Sequence, residues 1–139
     1  MLRKVIAVMA GLFTAVALVA LIESISHRIY PPPPGIDFRD PEQLASFING
    51  LPLSALLWVL GAWVLGTLAG AWLACWIARD RTWLIAAIIG AVMLTATALN
   101  LAAIPHPTWF SVSAVIGVAA AALAGGRIAA VTGIRLRSL

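Results

Sequence analysis

Four stretches of the chain run without a charge: Val5–Ile22, Leu51–Ala78, Thr82–Ile104 and Thr108–Gly126. In each, apolar residues occupy every side of a helix rather than one stripe, the pattern of a helix surrounded by other apolar groups. A membrane-spanning helix needs about 20 such residues, and all four stretches reach or approach that length. The second has 28 residues, about 42 Å of helix against a hydrocarbon core of about 30 Å, so it is expected to tilt or to begin in the interface at Leu51-Pro52. The first is the shortest and must recruit Glu23 and its neighbours for its last turns. Helical spans are thus predicted at about residues 4–29, 52–78, 82–104 and 108–126 of a single membrane domain.

The connections have their own chemistry. Arg79-Asp80-Arg81 predicts a tight turn, making spans two and three a helical hairpin. Pro105-His106-Pro107 predicts a second, with Pro107 or Thr108 suited to a helix start. The long loop, residues 30–51, is the one extended hydrophilic segment. Pro31-Pro32-Pro33-Pro34 favours a polyproline II strut that Gly35 can end. Asp40-Pro41-Glu42-Gln43 then reads as a helix start, with Asp as N-cap and Pro at N1. Leu44, Phe47 and Ile48 follow at helical spacing before Asn49-Gly50. A short helix over residues 41–49 is expected, lying on the membrane surface as an anchor, or acting as a lid over a site between the spans.

Composition agrees with the pattern. Of 139 residues, 63% are hydrophobic and 10% are charged, whereas about a quarter are charged in globular domains. The bilayer is the solvent that fits. Cys75, the single cysteine, has no second thiol for an intramolecular disulfide or a thiolate metal site.

The net charge of +4 is explained by topology. With both termini cytoplasmic, Arg3, Lys4, Arg79, Arg81, Arg127, Arg135 and Arg137 lie inside, while Arg28 and Arg39 lie outside. This asymmetry is the positive-inside pattern, and nucleic-acid binding is the less economical explanation. A cleaved signal peptide competes with a retained first helix: Arg3-Lys4 would be its basic region and Ala15-Val16-Ala17 its cleavage site. The apolar end left at Leu18 favours retention.

Within the second span, Ala62, Gly66, Ala69 and Gly70 share a sector, and Gly66-x-x-x-Gly70 has the spacing that lets helix backbones approach closely. The seam suits packing within the chain or a homodimer. The tryptophans read mainly as interfacial or lipid-contacting residues, with Trp63 and Trp72 deep enough to line a cleft.

Candidate chemistry gathers at one level. Glu23, Ser26, His27 and Tyr30 follow i, i+3, i+4, i+7 spacing, a stripe expected to face the bundle because a carboxylate at the lipid boundary is costly. Met93, Thr97 and Asn100 share a face of the third span, and His106 lies in the turn above. Ser111 and Ser113 open the fourth span. Topology places Glu23, His27, Asn100 and His106 in the outer leaflet and its surface. Three readings follow. These groups hydrogen-bond one another and fix the end of the bundle; or Glu23 with His27 is a proton or cation site; or Glu23, His27 and His106 supply a His2Glu metal set. No G-x-S-x-G elbow, phosphate-binding glycine loop or H-E-x-x-H motif is present.

The segments Glu23–His27–Tyr30-Pro31-Pro32, Gly35-Ile36-Asp37 and Ile104-Pro105-His106-Pro107 resemble a group of small bacterial four-helix integral membrane proteins. The resemblance covers nearly the whole chain and implies a fold but no activity. Small multidrug transporters are also similar in having four spans and a glutamate in the first. Their glutamate lies deep in the span and they lack a comparable proline-rich loop, so their function is not carried over.

The reading is therefore an all-α membrane protein: a four-transmembrane-helix bundle, N-in/C-in, with a short interfacial helix in the first outer loop. It is placed in a bacterial-type inner membrane, is expected to need no cofactor, and packs against itself or a membrane-protein partner in the lipid bilayer. A non-enzymatic role leads, with a proton-coupled transporter or ion-binding protein second and a metal-dependent enzyme third.

Overall fold

The structure, a computed structural model, describes residues 1–79 and 82–135. It is all-helical, with elements α1 (Leu2–Ile29), α2 (Pro41–Gly50), α3 (Leu53–Ala78), α4 (Thr82–Ala103) and α5 (Thr108–Arg135). The four long helices are each long and apolar enough to cross a membrane. Asp80, Arg81 and Arg137 lie outside the described residues, so the predicted Arg79-Asp80-Arg81 turn is described only at Arg79.

Local chemistry sets the helix ends. At Tyr30, φ −123° and ψ 69° leave the helical region, and its N–H donates to the Ser26 carbonyl; the proline that follows disfavours helix at this residue. α3 ends at Arg79, left-handed at φ 57°, whose N–H donates to the Cys75 carbonyl, as in αL-type caps. α2 starts as its sequence dictates. The Asp40 carboxylate accepts from the Glu42 and Gln43 N–H groups, with Pro41 at N1. Gln43 completes the cap: its Nε2 donates to Asp40 Oδ2 at 2.8 Å, and its Oε1 accepts from the Asp37 N–H at 3.1 Å. These bonds hold the Asp40 carboxyl below its ordinary value, the Gln43 side chain contributing most.

α3 is the hub. It packs against α1, α4 and α5; α4 packs on α5, α1 touches α4 along a short stretch, and α1 does not reach α5. The packing surfaces are built from small residues, because helices surrounded by lipid associate through close van der Waals contact rather than by expelling water. Ala7, Ala15, Ala62, Ala71 and Ala74 are all fully buried. A Cβ added at Gly70 would lie 2.5 Å from the Gly11 carbonyl oxygen and 2.8 Å from Ala15 Cβ; one at Gly66 would lie 2.8 Å from the Ala15 carbonyl. The glycine seam of α3 is thus filled by α1 of the same chain, as one of its two sequence readings allows. Ala62 lies buried on α3 and Ala69 is half-buried.

As a helix, α5 extends beyond the predicted 108–126 span to Arg135. Gly125 does not end the helix because it is a packing residue: a Cβ there would lie 2.6 Å from the Leu68 carbonyl oxygen on α3. The backbone of α2 packs against none of the long helices. At the end of the bundle away from the long loop, Arg3 Nε donates to the Ile77 carbonyl at 2.8 Å, tying the start of α1 to the last turn of α3, where a cation also suits the helix dipole.

Candidate functional site

The polar residues at the loop end are organised by a residue that the sequence did not single out for them. Trp63, on α3, donates its indole N–H to Glu23 Oε1 on α1 at 2.9 Å. Trp63 is 6% exposed, and an indole N–H buried among apolar residues needs an acceptor. The signal was present in the sequence: a deep tryptophan in one span and one carboxylate in another. The backbone beneath Trp63 is braced by Thr67, whose hydroxyl donates to the Trp63 carbonyl at 2.7 Å.

The other edges of the Trp63 ring meet the α4–α5 turn. Its centroid lies 6.3 Å from the His106 ring and 5.6 Å from Phe110, both in edge-on geometry. His106 stacks on Phe110 at 4.6 Å with 12° between the planes, a close offset arrangement of two π-systems. The His106 Nδ1 is 2.8 Å from the Ile104 carbonyl, so in the neutral ring Nδ1 carries the proton and donates. Burial lowers the His106 pKa from its ordinary value, with the Ile104 bond acting the other way. One layer therefore joins α1, α3 and the α4–α5 turn through Glu23, Trp63, His106 and Phe110.

Tyr30 forms a second tie, donating its hydroxyl to Ser54 Oγ at 2.7 Å and linking the end of α1 to the start of α3. Ser26 is buried. His27 is exposed, contrary to its expected place on a bundle-facing stripe. The reason is rotational: Ala7, Gly11 and Ala15 define the α1 face that meets the bundle, Ser26 continues it, and His27 lies about 100° further round. Among the described residues His27 makes no hydrogen bond or ring contact.

Asn100 is half-buried, yet its Oδ1 is fully buried with no hydrogen-bond partner, next to the buried Thr97 and Met93 of the same face. Gly11 faces Ile89, and α1 and α4 run in the same direction, so twelve residues further along each helix Glu23 stands level with Leu101. Asn100 and Glu23 thus share a level. No group of three His, Cys, Asp or Glu side chains able to hold a metal occurs among the described residues. The His2Glu set of Glu23, His27 and His106 is not assembled, because His27 faces away and Trp63 stands between the other two. No protein-family model, no curated protein and no solved structure matches the chain.

Proposed function

We propose that this chain is a non-enzymatic, multi-pass protein of a bacterial-type inner membrane, with both termini cytoplasmic, that packs against itself or a membrane partner. In this reading the Glu23–Trp63–His106 layer is the fastening of its outer end. The observation that carries the proposal is the Glu23–Trp63 hydrogen bond: the carboxylate is engaged in joining two helices, and the rings around Trp63 extend that joint to the turn. The distribution of Lys and Arg supports the orientation. α1 supports the partner, since it docks on α3 and leaves Val5, Ile6, Met9, Phe13 and Val16 uncovered by the chain.

A second reading, a proton-coupled transporter or ion-binding protein using Glu23, draws on Asn100. A buried acceptor without a donor, level with a carboxylate, is a place where a proton or a donor solute would be held. His27 would then serve the outer surface rather than the pair.

Two experiments separate these. Crosslinking in native membranes is expected to recover a covalent dimer or one discrete partner, and recovery of the monomer alone would sink the packing proposal. In proteoliposomes, Glu23→Gln is expected to lower thermal stability and leave proton flux unchanged. A flux that disappears while stability holds would transfer the argument to the second reading.

A further inference from the structure

The proline-rich segment and α2 border an open groove at the loop end, of about 750 Å³, within the range of small-molecule sites. Ile29 from the last turn of α1, Pro33 and Ile36 from the loop, Phe47 from α2, and Leu51 before α3 give it apolar walls. None of its lining residues is Asp, Glu, Lys, Arg or His.

Its hydrogen-bonding capacity decides what it can hold. The prolines have no N–H to offer. The Tyr30 hydroxyl already donates to Ser54, and both ends of the Gln43 amide are engaged, with Asp40 and Asp37. Of the lining side chains, only the Ser46 hydroxyl and the second Nε2 hydrogen of Gln43 are uncommitted donors. A sugar or a peptide strand entering here would leave most of its polar groups without partners, which is unfavourable. A hydrocarbon chain brings no polar group of its own to leave without a partner.

Position supplies the chain. Ile29 is the last residue of α1 and is 51% exposed, and Leu53 at the start of α3 is 61% exposed. The groove therefore lies beside exposed apolar residues at the ends of two spans, Ile29 lining it and Leu53 following Pro52, which lines it. The geometry points to an acyl chain of a phospholipid, from the leaflet at the loop end, as the occupant of this groove. The headgroup is not selected by negative charge, because Arg28 and Arg39 are outnumbered in this region by Asp37, Asp40 and Glu42.

The test uses the full chain in phosphatidylcholine vesicles doped with a phosphatidylcholine bearing a photoactivatable acyl chain, the crosslinked peptides being mapped by mass spectrometry. Labelling of the segment 29–52 is expected to exceed labelling of the exposed face of α1, and to be unchanged when anionic phosphatidylglycerol replaces the host lipid. Ser46→Trp and Gly50→Trp, one turn apart on α2, each fill the groove from the α2 wall. Each is expected to bring the loop yield down to that of α1, with α1 labelling intact as proof of reconstitution. Loop labelling no higher than that of α1 overturns the proposal, as does labelling indifferent to both variants. So does stronger modification of the groove by a water-soluble carbene precursor than by the lipid probe.

Discussion

Two stretches along which α1 meets α3 are held by different physics. In the middle, Gly11 and Ala15 lie against Gly66, Gly70 and Ala74, and the contact consists of backbone and methyl groups with no room for a further carbon. At the loop end, the same two helices are joined by long polar side chains, Glu23 to Trp63 and Tyr30 to Ser54. The first contact depends on what is missing from the side chains and is intolerant of additions. The second depends on matched donors and acceptors and is sensitive to the removal of one of them. Stability should therefore respond to volume in one region and to hydrogen-bonding chemistry in the other.

The largest effect is expected in the seam. Gly70→Val would drive a branched side chain into the Gly11 carbonyl, and a loss of about 3 kcal/mol or more, the upper end of overpacking costs, is expected in reversible unfolding from detergent micelles. Gly61→Ala, where an added carbon meets nothing within 4 Å, should leave stability unchanged or slightly raised. Equal losses for the two would dissolve the distinction between a packed seam and ordinary helix surface.

An intermediate effect is expected at the polar joint. In a double-mutant cycle of Trp63→Phe with Glu23→Leu, a coupling of about 0.6–1.7 kcal/mol is expected, the range of interhelical hydrogen bonds in membranes. A coupling near zero would mean that the indole and the carboxylate act independently.

The smallest effect concerns pH. Burial holds the His106 pKa below its ordinary value, so the unfolded chain takes up the imidazole proton more readily than the folded one. Stability should then be constant above about pH 6.5 and decline as pH falls from there toward the folded value. Thermal midpoints measured across that window should lose this dependence in His106→Phe, which retains a ring to stack on Phe110. A midpoint that rises on acidification would reverse the assignment.

The regions also differed in how far their sequence could be read. The spans were legible because twenty uncharged residues admit few structures, and α2 because Asp40-Pro41-Glu42-Gln43 supplies a cap, an N1 proline and a side-chain bracket in four letters. Glu23, Asn100 and His106 could be assigned to one level by counting residues along helices. Direction around the helix was harder. α1 is apolar on all sides, so no hydrophilic face marks which way His27 points, and an error of one residue turns a side chain through about 100°. Trp63 was read as a contact residue because its ring suits lipid; its role rests on a single N–H, and the acceptor lies 40 positions away in the chain.

The α1–α3 seam has a consequence for how the protein is made. Gly11 is synthesised 59 residues ahead of Gly70, the position against which it finally rests. At roughly 5–20 residues per second, α1 waits about 3–12 s for its dock to be translated. During that interval it must persist alone in lipid, and its unbroken apolar circumference is what allows a helix with so few buried residues to do so.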